Sequence, residues 1–139
     1  MKKYLNISLI YAILALISGV FYREFTKWNE YHDVTTLGKV HVHLFIMGMM
    51  IFLIIALFSA HQELKKDKTF RVFMWVYNIG VPITAVMMVV RGITQVLNIS
   101  LSTVANAVIS GIAGIGHILT GVGIILLLVS LKKTAENGR

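Results

Sequence analysis

Four long apolar stretches, separated by short polar linkers, dominate the sequence of 139 residues. A hydrocarbon core about 30 Å thick is crossed by an α-helix of about 20 apolar residues, which is close to the length of each stretch. Only 14% of the residues are charged, against roughly 25% in ordinary soluble domains. The sequence therefore predicts an all-α integral membrane four-helix bundle, a single transmembrane domain over residues 1–139 with helices at about 4–22, 37–60, 70–97 and 103–131.

The basic residues behind the net charge of +7 are unevenly distributed around these helices. Most of them precede the first helix, lie between the second and third, or follow the fourth: Lys2, Lys3, Lys65, Lys66, Lys68, Arg71, Lys132, Lys133 and Arg139. Cytoplasmic flanks of membrane helices are enriched in Lys and Arg, so we expect both termini to face the cytoplasm. The positive charge is then a topology signal, and the expected surroundings are a lipid bilayer with no nucleic-acid partner.

Several classes of protein are disfavoured by what the sequence lacks. It has no cysteine, which excludes disulfides, thiolate metal sites and cysteine nucleophiles. It also has no nucleophile elbow, phosphate loop or HExxH pattern. Ser18-Gly19 would be a poor signal-peptide cleavage site, so the first helix is expected to be retained. Whether the protein is an enzyme stays open, and redox chemistry is expected rather than hydrolysis or group transfer.

Two histidines, His41 and His43, occupy the outer part of the second predicted helix. Ionisable residues within a membrane are energetically costly and are therefore candidates for function. Residues two positions apart on an α-helix point about 200° apart, so the two rings are unsuited to ligating one small ion. The spacing suits a helix placed between two cofactors or two partners. Gly48 lies on roughly the same face as His41, and a glycine there would let a bulky flat group approach the backbone.

Arg91 is a further ionisable residue within a predicted span, about two turns below the outer end of the third helix, and Gln95 follows one turn further out. A buried arginine needs an acidic or strongly polar partner, but none of the four spans contains Asp or Glu. The counter-charge could come from the first outer loop, at Glu24, Glu30 or Asp33. It could equally come from a ligand carboxylate, for which haem propionates would serve.

The fourth helix carries small and polar residues at helical spacing: Asn106, Ser110, Gly114, His117 and Gly121. Such a stripe is more typical of close helix packing than of ligand binding. A lone histidine on it is more often a hydrogen-bonded packing residue than a metal ligand. His117 is therefore a weaker candidate ligand than His41 and His43.

The segment LGKVHVHLFIMG, residues 37–48, resembles a histidine helix of the haem-copper oxidase superfamily. In the large subunit of that superfamily, twelve helices form three arcs of four, and one helix carries a His-x-His pair whose members bind two different haems. The present chain is similar to one such arc in helix number and orientation. The whole chain also resembles a family of small four-span bacterial membrane proteins of unknown function, which implies a multi-pass protein of the bacterial cytoplasmic membrane.

The oxidase resemblance implies a homotrimer that rebuilds the ring of twelve helices. His41 of one protomer and His43 of its neighbour would ligate a b-type haem, and Arg91 with Gln95 would hold its propionates. An iron with two histidine ligands has no open position, so electron transfer, with a quinone or another redox partner, or haem sensing or storage is expected instead of oxygen reduction. The alternatives are a small transporter or channel with a His- and Arg-lined path for protons, metal ions or anions, and an accessory subunit of a larger complex.

Overall fold

The structure is a computed structural model that describes residues 1–61 and 64–137. Its helices are α1 (Lys2–Trp28), α2 (Leu37–His43), α3 (Ile51–His61), α4 (Lys68–Val96) and α5 (Thr103–Asn137). A π-helical segment (Leu44–Met50) connects α2 directly to α3, so these three elements form one second span, and a short 3₁₀ turn (Leu64–Lys66) precedes α4. Four helices are thus long and apolar enough to cross a membrane, which confirms the predicted all-helical fold with four helices of spanning length.

The helix bounds differ from the prediction mainly where helices extend beyond their apolar cores. α1 continues from Tyr22 to Trp28 through Arg23, Glu24 and Lys27, and α5 continues beyond Leu131. Hydropathy locates the apolar part of a helix, whereas the backbone hydrogen-bond ladder can continue into the polar interface. The second span and the start of α5 lie where the sequence predicts them.

The spans pack in chain order, each against its neighbour in the sequence. α1 packs against the second span, α2 of that span packs against α4, and α4 makes the most extensive contact of the fold, with α5. Within the described residues α1 and α5 are not in extensive contact, so the spans form an antiparallel row with two free ends. An apolar groove of about 390 Å³ lies between α1 and α4, with Val40 and Leu44 of the second span among its lining residues.

An aromatic cluster holds the first three spans together. Phe52, Phe73 and Tyr77 are fully buried, and the ring of Tyr11 from α1 is stacked on Phe52 with centroids 5.7 Å apart. Phe73 and Tyr77 lie one turn apart on α4, with ring centroids separated by 5.1 Å. These aromatic side chains fill the space between α1, α3 and α4 with large apolar contacts.

Small residues allow α4 and α5 to approach closely. A Cβ at Gly80 would lie 2.6 Å from the backbone nitrogen of Thr120, and one at Gly116 would lie 2.7 Å from Oγ1 of Thr84. No real Cβ tolerates such separations, so glycine is required at both positions. This is the close backbone packing expected of small residues in membrane helices.

The row has two chemically distinct ends. At the basic end, defined by Lys3, Lys65, Arg71 and Lys133, the ring of Tyr4 packs on Phe70 and the hydroxyl of Ser130 donates to Asp67. At the histidine end, defined by His41, His43 and Arg91, α4 contacts the loop before α2 and the start of α5. The basic clusters therefore share one end, as the positive-inside rule requires; the orientation in the membrane stays a prediction.

Candidate functional site

The start of the second span is fixed to α4 just ahead of the two histidines. The side-chain oxygen Oε1 of Gln95 accepts hydrogen bonds from the backbone N–H of Thr36 at 2.9 Å and from the hydroxyl of Thr35 at 3.1 Å. The hydroxyl of Thr36 also donates to the carbonyl of Met88 at 3.0 Å. Gln95, predicted to contact a ligand, is here an anchor for the helix that carries the histidines.

His43 is half-buried, and its ring is oriented by its own helix. Its Nδ1 lies 2.9 Å from the carbonyl oxygen of Lys39. Because a carbonyl only accepts, Nδ1 must carry the hydrogen, and in the neutral ring Nε2 is left with a free lone pair. A histidine that ligates a metal usually donates its other ring N–H in this way. His43 is therefore prepared for ligation through Nε2.

His41 lies in a different environment, against α1. A Cβ at Gly19 would lie 3.7 Å from the Cβ and Cγ of His41, which is ordinary contact distance. Nδ1 of His41 is buried and has no hydrogen-bond partner among the described residues. A buried polar atom without a partner costs about 1–3 kcal/mol, so this ring carries an energetic cost that His43 avoids.

The π-helical segment begins immediately after His43 and includes Gly48. π-helical turns are rare and are frequently found at functional sites. The hydroxyls of two neighbouring spans bond to its carbonyls: Tyr77 donates to Met47 at 2.8 Å, and Ser8 donates to Met49 at 2.8 Å. The hydropathy pattern of the second span does not predict this π-helical segment. The polar residues related to it, Ser8 and Tyr77, lie on the spans that pack against it.

Gly48 accommodates an aromatic ring, but that ring belongs to the chain itself. A Cβ at Gly48 would lie 2.3 Å from the Cγ and Cδ1 atoms of Tyr11. The space beside the Gly48 backbone, which the sequence predicted for a flat ligand, is therefore occupied by the Tyr11 side chain of the same protomer.

Arg91 spans the gap between α4 and α5. Its guanidinium donates to the side-chain oxygen of Asn106 and, at 2.7 Å, to the hydroxyl of Ser110. Within the part of the chain that the structure describes, no carboxylate lies within salt-bridge distance of it, and Glu24 contacts Arg23 instead at 3.8 Å. The two partners are neutral, so the positive charge of Arg91 is uncompensated.

A polar cavity of about 480 Å³ opens beside Arg91 at the histidine end. Its polar lining comes from the end of α4, the start of α5 and the loops that follow α1 and α4: Tyr31, Arg91, Thr94, Gln95, Asn98 and Asn106. An arginine without a carboxylate partner, beside an open polar cavity, is suited to binding a carboxylate or phosphate.

The chain matches the model of a protein family over residues 1–134, and that family is described as proteins of unknown function (DUF2871). The chain belongs to this family. No curated protein and no solved structure shows significant similarity to it. Membership of the family agrees with the resemblance to a small four-span family of unknown function and transfers no activity.

In this family member the stripe predicted on α5 meets α4 at its start, where Asn106 and Ser110 accept hydrogen bonds from Arg91. Further along α5 the contact with α4 is made by a different face, with Gly116, Thr120 and Gly123, whereas a Cβ at Gly114 or Gly121 would meet nothing within 4 Å. His117 is exposed on α5, and its Nδ1 lies 2.8 Å from the carbonyl oxygen of Ala113. Its Nε2 is thus also free, on a face that no other span of the protomer covers.

The described residues of one protomer offer no complete metal site. Across residues 1–61 and 64–137 there is no group of three or more His, Asp or Glu side chains that could hold a metal ion. The predicted residues gather at the histidine end without converging on one point: His41 contacts α1, Gln95 binds the loop before α2, and Arg91 binds α5. Further ligands would have to come from a cofactor or a second protomer.

Proposed function

We propose that this chain is a membrane b-type haem-binding protein that works in one-electron transfer or in haem sensing or storage. Its haem would be held between protomers, by His41 of one and His43 of the next, in a homotrimer of four-span units. The haem, when bound, supplies a reversible one-electron couple. The work of this chain's own residues is to hold the iron, orient the ligand rings and neutralise the propionates.

The observation that carries the proposal is the hydrogen bond from His43 Nδ1 to the carbonyl of Lys39. It favours the neutral tautomer that carries its hydrogen on Nδ1 and leaves Nε2 available to an iron, and it restrains ring rotation. The rare π-helical segment that follows directly is a second feature typical of functional sites. His43 therefore fits the role of an axial ligand.

His41 fits the role less completely, because its buried Nδ1 lacks the acceptor that a ligating histidine usually has. The spacing of the pair nevertheless directs the two rings to nearly opposite sides of α2. One helix would then contribute to two haems, and each haem would need a second protomer. The uncovered face of α5 around Gly114 and Gly121 offers a surface for such a neighbour.

Arg91 supports the proposal through its charge. It has neutral partners on α5 and borders a polar cavity at the same end of the molecule as the histidines. Two propionates are a suitable counter-charge, since an arginine binds carboxylates through paired N–H donors. Gln95 would contribute indirectly, by keeping the start of α2 in place.

Absorption spectroscopy tests the proposal on protein purified after expression with ample haem. Sharp α and β bands should appear on reduction with dithionite, and they should be lost in His41→Ala and in His43→Ala. His117→Ala is the matched control, because His117 also bonds a carbonyl one turn earlier through Nδ1. A colourless wild-type protein, or bands that survive both substitutions, would refute the proposal.

The mass of the purified protein in detergent tests the proposed trimer separately from haem binding. A haem-containing trimer that becomes colourless, but stays trimeric, in the two histidine variants would agree with ligation between protomers. A haem-containing monomer would rule it out, and loss of the bands in His117→Ala would reassign the second ligand to α5.

The cavity beside Arg91 favours one other candidate function, a small transporter for anions or protons. Its opening at the histidine end would be the entrance of a path lined by His and Arg side chains. Flux measured in proteoliposomes discriminates the two functions. Flux that is abolished in Arg91→Gln and unaffected by haem depletion would favour transport, and flux unaffected by this substitution would eliminate the path.

A further inference from the structure

A second cavity, of about 360 Å³, lies at the basic end, far from the histidines. Three separate segments of the chain contribute to it. Lys3 and Tyr4 come from α1, Lys65 comes from the turn before α4, and Phe70, Arg71 and Trp75 come from α4. The mechanism proposed above makes no use of these residues.

The cavity concentrates positive charge. Lys3, Lys65 and Arg71 line it, and among the described residues none of them is paired with a carboxylate. Asp67 lies four residues before Arg71, but its carboxylate is already bound by the hydroxyl of Ser130 at 2.5 Å and by Lys133 at 3.4 Å. The three cations therefore remain available to an anion from outside the chain.

Tyr4 adds a hydrogen-bond donor to the same cavity. Only 2% of this residue is exposed, and its ring packs edge-on against Phe70 with centroids 5.8 Å apart. Tyr4 is one of the residues that line the cavity. A phenol on a mostly buried ring can donate one hydrogen bond to a ligand in such a cavity.

Trp75 indicates what kind of anion the cavity takes. It lies one turn further along α4 than Arg71 and is 75% exposed. Tryptophan is enriched where membrane helices pass the interface, with its ring at the level of the lipid headgroups. An exposed indole next to a basic cavity therefore suits a ligand with a phosphate and an apolar tail better than a free phosphate ion.

We propose that this cavity binds an anionic phospholipid, with its phosphate at Lys3, Lys65 and Arg71 and a hydrogen bond from the Tyr4 hydroxyl. Its acyl chains would extend along the lipid-facing surface beside Trp75. Basic pockets between membrane helices are known to recognise anionic headgroups. The lipid would tie α1 to α4 at the end where Tyr4 packs on Phe70.

Native mass spectrometry of the full chain in detergent measures this binding. Phosphatidylglycerol should bind in a saturable way and more tightly than phosphatidylcholine, and inorganic phosphate should not displace it. Each cation near a membrane surface adds about 1 kcal/mol, so Lys3→Gln, Lys65→Gln and Arg71→Gln should each weaken phosphatidylglycerol binding about fivefold. Phosphatidylcholine binding should be unchanged.

Two further variants make the test specific. Lys132→Gln removes an exposed charge near the same end that does not line the cavity, and it should leave phosphatidylglycerol binding unchanged. Tyr4→Phe preserves the ring contact with Phe70 and removes only the hydroxyl, so this variant should fold as the wild type does. Its binding of phosphatidylglycerol should weaken about fivefold, as expected for the loss of one hydrogen bond.

Three results would overturn the proposal. An equal loss in Lys132→Gln would indicate unspecific attraction to a basic surface. Unchanged binding in the three cavity variants would place the lipid elsewhere. Displacement by inorganic phosphate would identify a free anion as the ligand.

Discussion

Gly48 and Tyr11 are in direct contact across the first two spans: a Cβ at Gly48 would lie 2.3 Å from the Cγ of the Tyr11 ring. The ring cannot withdraw freely, because its other contacts include Phe52, on which it is stacked. The π-helical segment that contains Gly48 is therefore held against α1 by a glycine and an aromatic ring.

Gly48→Ala should destabilise the protein by about 1–3 kcal/mol, because an added methyl group would overpack the contact with Tyr11. The free energy of unfolding in a denaturing-detergent titration measures this. Gly111→Ala is the matched control, since a Cβ there meets nothing within 4 Å and alanine is the better helix former by roughly 0.5–1 kcal/mol. Equal stability of the two variants would contradict the packing described here.

Gln95→Ala should destabilise the start of the second span. The backbone N–H of Thr36 would lose its acceptor, at a cost of about 1–3 kcal/mol for a donor left unsatisfied. The hydroxyl of Thr35 would keep the Gly92 carbonyl as an acceptor. Hydrogen exchange of residues 36–43 should accelerate. Thr94→Val is the control, because among the described residues the Thr94 hydroxyl bonds only to the Arg91 carbonyl of its own helix. Hydrogen exchange of residues 36–43 in this variant should match the wild type.

Arg91→Gln should loosen the start of α5, since both bonds of the guanidinium to Asn106 and Ser110 are lost. We expect a loss of about 1 kcal/mol, because these bonds are partly exposed. Arg91→Lys should not restore them fully, as a single ammonium cannot reproduce the planar fork. Faster hydrogen exchange confined to the first turns of α5 would support this, and Arg23→Gln, which removes an exposed ion pair, should not produce it.

Asp67 makes stability depend on pH at the basic end. Its pKa is lowered from 3.8, first by the hydrogen bond from Ser130 and then by the backbone N–H groups of Phe70 and Thr69 and by Lys133, against an opposing effect of desolvation. A carboxyl whose pKa is lower in the folded protein contributes stability that is complete above its ordinary pKa. That contribution is lost as the pH falls through the lowered value.

Ser130→Ala should therefore raise the Asp67 pKa towards 3.8 and shift the acid-side loss of stability to higher pH. Unfolding midpoints measured from pH 6 down to about pH 2 would report the shift. Ser59→Ala is the control, since the Ser59 hydroxyl bonds, within the part of the chain that the structure describes, only to the Ala56 carbonyl in its own helix. An unchanged pH profile in Ser130→Ala would refute the assignment of this bond as the main cause.

The four spans could be predicted because membrane insertion is a local requirement. Each span must satisfy its own backbone hydrogen bonds and present apolar side chains to lipid, and both conditions can be read from consecutive residues. The second span, predicted at 37–60, matches the span of Leu37–Ala60 for this reason. The end of α1 was predicted too early, at residue 22 instead of Trp28, because a helix can continue past its apolar part.

The candidate site could be predicted only as a set of residues. His41, His43, Arg91 and Gln95 are conspicuous in a membrane span because polar groups there are costly. Their partners are not visible in the sequence: Asn106 and Ser110 are distant from Arg91 along the chain, and the acceptor for Thr36 is Gln95 on another helix. Such pairs depend on how the spans pack.

Local composition and helical periodicity are enough to predict the four apolar helices, the basic residues at one end and the opposed directions of His41 and His43. Packing between the helices sets three features that they do not predict: a π-helical segment follows His43, Gly48 faces Tyr11, and Gly116 and Gly123 of α5 pack on α4 in place of Gly114 and Gly121. These features depend on packing because a helix offers several similar faces. The partner against which each face packs is chosen by steric fit and by hydrogen bonds between spans.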